Sequence, residues 1–453
     1  MTGARGAGGG LARLPLAPAE REAQARRRIA TRGLFEVPLA GGPRPLAAGG
    51  IDWPVISPGA AMPYAHRRMH DADAHVMETA EMIRGCAEPG VRAKLPPSFV
   101  AALSPGEDER LVAHFRAKHA DPSYRADDAA QILLRKNWAA TGSFLREDRA
   151  QALDLLGFES QLLFNTFVNQ ALLKAERGDD VEFAYGFARA HNRAMLAFCA
   201  ADRRLLPTCY VPLRDFERSR AIAGEAIAAG AKALLVPSGC PRGHAPSHPG
   251  LFPVWEQAVE AGLPVVFHVG GGLRAADDRL LDRDYFANGG PPVPDFHGGD
   301  ENFRSIDYMA IPTAPMQTIA TLIFDGVLDR FPTLKLGVIE QGASWMPSWM
   351  RFMESAFEAF RKNEERLQKL ALRPSEYVRR QVRATPYPAE DVGWIVANAG
   401  DEVCLFSSDY PHVEGGRNPI KRFEESMASL SEAQKQRFYV ENFADLMGRG
   451  LPS

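Results

Sequence analysis

Four stretches of this sequence put acidic and imidazole side chains where they could share a cation. Asp73-Ala74-His75 closes the run 68–75. On an extended strand, residues two apart project to one face, so Asp71, Asp73 and His75 point the same way. A carboxylate and an imidazole on one rigid face can both reach a divalent ion. An isolated pair of this kind is more often a hydrogen-bonded couple, and the spacing recurs at Asp295-Phe296-His297 in a stretch that reads as a loop. His268 ends LPVVFH and precedes Val269 and three glycines, which would let the backbone turn closely around a ligand. Its plain reading is a satisfied core histidine; a place at a strand's C-terminal end favours a functional one. Glu340 ends LKLGVIE, a carboxylate that is costly to bury unless paired or metal-bound. A structural ion pair is its plain alternative. Asp409 follows EVCLFSS and precedes Tyr410-Pro411-His412. It could ligate a metal and take the proton of a metal-activated water as general base, or simply be a turn aspartate.

Together these residues say more than each does alone. Asp73, His75, His268 and Asp409 offer two imidazoles and two carboxylates, a mixed N/O donor set suited to one divalent ion, Zn²⁺ first and Mn²⁺ as the alternative. Such a set leaves a position for water, whose pKa falls to about 7 on zinc.

The elements that must position them are short apolar runs at 68–75, 160–167, 205–213, 233–237, 264–269, 335–339, 381–385 and 403–408. Helix-like segments at 180–201, 215–229, 253–261 and 315–330 fall between them. Strands alternating with helices of ten or more residues indicate βαβ units and a parallel sheet. Runs such as PVVF and KLGVI are continuously apolar, as strands buried on both faces require. Eight units, with no GxGxxG after the first strand, predict a (β/α)₈ TIM barrel rather than a doubly wound sheet. In that frame all four donors sit at the C-terminal ends of strands, where barrel enzymes carry their chemistry.

Residues 1–60 stand apart, with eight Arg and three acidic residues before position 45 and the run GARGAGGG; they read as a loosely docked N-terminal arm. The barrel would then occupy 61–453, decorated by a mostly helical stretch at 76–156 and a Gly/Pro/Asp-rich loop insertion at 270–312. Long insertions of this kind often act as lids or binding loops. The chain has 453 residues, 53 Lys+Arg against 56 Asp+Glu and a net charge of −3. That balance gives no basic footprint for nucleic acid, and no apolar run is long enough for a membrane span. Five scattered cysteines without a CxxC pair fit reduced thiols and a cytoplasmic location.

The stretches DADAHVMET at 71–79, HPGLFPVWEQAVEAGLPVVFHVGG at 248–271, IFDGVLDRFPTLKLGVIEQGASWMP at 323–347, LFSSDYPHVEGG at 405–416 and ENFADLMG at 441–448 resemble the amidohydrolase superfamily. The resemblance is to the amidohydrolase-related branch that includes aminocarboxymuconate-semialdehyde decarboxylase and the resorcylate decarboxylases. It implies a distorted (β/α)₈ barrel with one divalent metal, Asp73 and His75 as the first-strand pair, His268 as the fifth-strand ligand and Asp409 as the eighth-strand aspartate. One position departs: where the decarboxylases carry a sixth-strand histidine, this sequence has Glu340.

The expected activity is therefore hydrolysis of a small polar or aromatic molecule through a metal-activated water. Asp409, Glu340 and His412 would be the catalytic groups, with His297, Arg304 and Trp345 touching substrate. Non-oxidative decarboxylation of an aromatic or enoic acid is the alternative; an inactive barrel serving as a scaffold is the third reading, and it would require a lost ligand. A homodimer is expected.

Overall fold

A computed structural model describes residues 67–100, 106–270, 285, 289–290 and 305–452. The 1–60 arm, and most of the 270–312 insertion with His297 and Arg304, lie outside the described residues. Every described residue belongs to one unit, Val55–Ser453.

Seven strands form one parallel sheet in sequence order: β1 His70–Val76, β2 Ser160–Asn165, β3 Leu205–Tyr210, β4 Ala233–Leu235, β5 Val265–His268, β6 Leu336–Ile339 and β7 Val382–Ala384. Every residue in all seven is buried, which accounts for the nearly continuous apolar runs of β4, β5 and β6. Helices intervene, as right-handed parallel crossovers need. Asp180 caps Val181–Cys199 by accepting from the Phe183 N–H, and Asp215 caps Phe216–Ala228 through Arg218. The helix expected over 315–330 is two, Thr313–Phe324 and Val327–Arg330, because Gly326 takes a left-handed conformation between them. Between β1 and β2 the chain is mainly helical, ending in Arg146–Leu156. Among the described residues no helix is long and apolar enough to cross a membrane.

The eighth expected strand, 403–408, is not a strand. It makes isolated bridges, Cys404 with Ala384 of β7 and Tyr410 with Ala74 of β1. Its backbone bonds explain the loss of ladder pairing. The Phe406 N–H turns away to the Phe438 carbonyl, and the Ser408 N–H donates to the Asp71 carboxylate instead of a neighbouring strand. The segment is nonetheless bound on both sides: Leu405 donates to the Ala384 carbonyl, and Ala72 to that of Phe406.

Candidate metal centre

Because the strands are parallel, their C-terminal ends share one edge of the sheet. β1 brings Asp73 and His75 there, β5 ends in His268, Glu340 follows β6 directly, and the 403–410 segment delivers Asp409. Oxygen and nitrogen atoms of Asp73, His75, His268 and Glu340 all lie within 4.8 Å of one another, as do those of His75, Glu340, Asp409 and His412.

The detailed contacts centre on two imidazole nitrogens. His75 Nε2 lies 3.2 Å from Asp73 Oδ1, 3.5 Å from Asp409 Oδ1 and 3.8 Å from Glu340 Oε2. His268 Nε2 lies 3.4 Å from Asp73 Oδ1 and 3.3 Å from Glu340 Oε2. The opposite nitrogen of each ring is already committed. His75 Nδ1 donates to the Asn165 carbonyl at 3.0 Å, and His268 Nδ1 to that of Val269 at 3.2 Å. A carbonyl accepts only, so Nδ1 carries the proton in the neutral ring and Nε2 presents a lone pair. Burial, reinforced by the neighbouring His412, pushes the His75 pKa down to about 3, which keeps that ring neutral. Two lone pairs thus face three carboxylates, an arrangement that only a cation or extra protons would stabilise. Asp73 Oδ2, His75 Nε2 and Asp409 Oδ2 are buried without a hydrogen-bond partner. These orphaned donor atoms fit a divalent ion, by number and by chemistry.

Glu340 and Asp409 share an uncommon backbone. Both have positive φ, 52° and 53°, where non-glycine residues are rare and where strain is held by surrounding contacts. Glu340 is held by its N–H to Thr385 Oγ1 at 2.8 Å and by its carbonyl, which accepts from the Tyr387 hydroxyl at 2.7 Å. Asp409 donates its N–H to the Asp73 carbonyl at 2.9 Å, and its own carbonyl accepts from His412 at 2.7 Å. That turn carries the His412 ring back, so that Nδ1 is 3.0 Å from Asp409 Oδ1 and the ring stacks on His75 at 3.9 Å. The Thr166 hydroxyl then donates to His412 Nε2 at 2.9 Å. Burial raises the Asp409 pKa to about 6 against the opposing pull of His412.

A cavity of about 10 Å³ lies against Asp73, Glu340, Asp409, Thr385, Tyr387 and Glu414, about the room one water needs. Six expected residues therefore fall into two overlapping clusters, Asp73, His75, His268 and Glu340 in one and His75, Glu340, Asp409 and His412 in the other. Trp345 is committed elsewhere, its indole N–H donating to the carbonyls of Gln341 and Gly342. His297 and Arg304 fall outside the described residues. Thr166, Thr385 and Tyr387 went unread in the sequence, although each follows the end of a buried strand, β2 or β7.

The sequence matches, over residues 70–449, the model of a family described as amidohydrolase. A comparison with curated proteins gives no match. Among solved structures, the chain is similar to an amidohydrolase from Mycobacterium avium subsp. paratuberculosis, at 22% identity and a TM-score of 0.62, covering 84% of this chain and 100% of that one. It is also similar to a 5-carboxyvanillate decarboxylase from Novosphingobium aromaticivorans complexed with manganese and 4-hydroxy-3-methoxy-5-nitrobenzoic acid. That match has 17% identity, a TM-score of 0.55 and coverage of 85% and 96%. A dihydroxybenzoic acid decarboxylase from a Polaromonas species, with manganese and 2-nitroresorcinol, matches at 16% identity and a TM-score of 0.55, covering 84% and 96%. At these identities the likeness is one of fold.

Proposed function

Because this chain belongs to the amidohydrolase family, we propose that it is a metal-dependent enzyme that hydrolyses a small polar or aromatic substrate at the centre just described. The observation that carries the reading is the pair of buried Nε2 lone pairs turned toward three carboxylates. Asp73, His75, His268 and Asp409 would hold the ion, with Glu340 beside them. When bound, a divalent ion lowers the pKa of water and polarises a carbonyl oxygen. Asp409 accepts the proton from the attacking water and returns one to the leaving group. His412, held by the Thr166 hydroxyl, steadies the charge on Asp409 from its Nδ1 side. Zinc fits the imidazole donors, and manganese is the ion in two proteins of similar fold.

The hydrogen bonds on both flanks of 403–410 support reading that segment as the closing stave of a (β/α)₈ barrel. Five free cysteines, Cys199, Cys209 and Cys404 among them buried, support a reducing, cytoplasmic setting. Exposed Phe352 and Phe360 on the helix Met346–Phe360 support a homodimer, which sedimentation would reveal.

Decarboxylation of an aromatic acid is the second reading, favoured by the two decarboxylases of similar fold. Glu340 weighs against it: three carboxylates exceed the charge of one divalent ion and would repel a substrate carboxylate. Solvent isotopes separate the two. In H₂¹⁸O, hydrolysis puts ¹⁸O into the product acid or alcohol; in D₂O, decarboxylation puts deuterium on carbon and releases CO₂. Purified protein that takes up neither zinc nor manganese would overturn both readings.

A further inference from the structure

Behind the centre lies a buried polar chain that the mechanism above does not use. Asp71, on the same strand as Asp73 and His75, is fully buried, and its carboxylate accepts four hydrogen bonds. Oδ1 accepts from the backbone N–H of Ser408 at 2.8 Å and of Asp73 at 3.3 Å. Oδ2 accepts from the Ser408 hydroxyl at 2.6 Å and from Gln161 Nε2 at 2.9 Å. Four donors fill a carboxylate's lone pairs, so Asp71 has no capacity left for an ion or a substrate. On the far side of the same amide, Gln161 Oε1 accepts from Arg149 Nε at 3.1 Å. The amide is thereby oriented by a guanidinium at its oxygen and a carboxyl group at its nitrogen. Arg149, a guanidinium with no exposed surface, also donates from Nη1 to the carbonyl of His75 at 2.9 Å and of Gly142 at 3.3 Å. Its cationic carbon lies 5.1 Å from the Tyr410 ring centre.

The two ends of this chain are what matter. One end fixes Ser408, the residue before Asp409; the other fixes the backbone of His75. We propose that Asp71, Gln161 and Arg149 are positioning residues that set Asp409 against His75, an inference that rests on the metal-centre reading above. A buried guanidinium and carboxyl bridged by one amide are a costly way to hold a fold together. Their bonds end on the backbone beside two donors of the centre. After Asp409, the turn is held by the Asp409 N–H on the Asp73 carbonyl and the His75 N–H on the Tyr410 carbonyl; before it, the Asp71–Ser408 bonds fix the residue on which the left-handed conformation is built. The polar groups behind metal ligands are known to matter at the level of 10–100-fold in affinity or activity, by holding ligands in place.

The test is titration of metal-free protein with Mn²⁺ alone, reading free Mn²⁺ by its EPR signal, for the wild type, Ser408→Ala, Asp71→Asn and the double variant. Ser408→Ala removes the hydroxyl's donation to Asp71 Oδ2 and its acceptance from the Tyr410 N–H, and leaves the backbone bond to Asp71 Oδ1. The expected result is Mn²⁺ binding weakened several-fold by Ser408→Ala and about tenfold or more by Asp71→Asn. The double variant should be weakened by less than the product of the two single effects, because the two changes share the hydroxyl–carboxylate bond while only Ser408→Ala also frees the Tyr410 N–H. Thermal midpoints measured without metal report the structural contribution separately. Folded variants that bind Mn²⁺ as the wild type does, whatever their midpoints, would overturn the inference. If Asp71→Asn fails to fold, Ser408→Ala decides. Wild-type protein that binds no Mn²⁺ or Zn²⁺ would overturn the metal-centre reading, and this inference with it; unchanged variants of a metal-binding wild type overturn this inference alone.

Discussion

An imidazole whose Nδ1 is tied to a carbonyl has one thing left to offer, the lone pair on Nε2. His75 and His268 are both in that state, and each aims the lone pair at Asp73. Removing a shared donor should therefore empty the centre rather than weaken it by degrees. Asp73→Ala and His268→Ala are expected to be purified without the equivalent of zinc or manganese found in the wild type, as elemental analysis would show. Full metal content in either variant would refute the donor set. Asp409→Asn keeps a metal-ligating oxygen but cannot take a proton; kcat should fall by about 10²–10⁴ with the fold intact. These residues were legible because each ends an apolar strand, where a charged side chain has no packing reason to be. What the sequence could not show for Trp345 is where its indole N–H points, and it closes on its own turn.

At the scale of elements, β4, β5 and β6 were legible from nearly unbroken apolar runs, which is what burial on both faces demands, whereas β1, HDADAHV, is as buried but alternates polar and apolar residues. The eighth was misread because its apolar run EVCLFSS follows the same rule, while its backbone obeys side-chain partners that no local pattern reveals. Ser408 bonds to Asp71, a residue 337 positions away in sequence. The turn that follows is packed to contact. A Cβ on Gly415 would collide with the Ser408 carbonyl and come within 3.2 Å of Asp409 Cβ. Gly415→Ala should therefore reduce activity at least tenfold and move the Asp409 turn, with little of the protein unfolded; full activity would argue that the turn yields freely. Gly142 is more constrained still. Its φ is +68°, and a Cβ there would lie 2.5 Å from the Arg149 backbone. Gly142→Ala is expected to cost about 1–3 kcal/mol or more in denaturant unfolding.

For the molecule as a whole, buried histidines set the acid limit of stability. Burial, only partly offset by the Asn192 contact, lowers the His191 pKa to about 4. Burial likewise brings that of His70 to about 4. Against an unfolded value near 6.5, both rings fold neutral. The stability held by the neutral rings is complete above about pH 6.5 and is lost as pH falls from there to about 4. For His191 alone the loss is on the order of 3 kcal/mol. Denaturant unfolding between pH 7 and pH 4.5 should show this slope, and His191→Gln should flatten it; an equal slope in the variant would refute the assignment.

Asp73 stands in the first strand, His268 in the fifth, and Asp409 after the seventh. On a ribosome, this order makes Asp409 the last of the proposed donors to be synthesised. A nascent chain ending short of Asp409 would carry Asp73, His75 and His268 but lack the residue that closes the proposed set, and β1, which bears two of them, would have its β2 partner but not the segment that flanks its other edge.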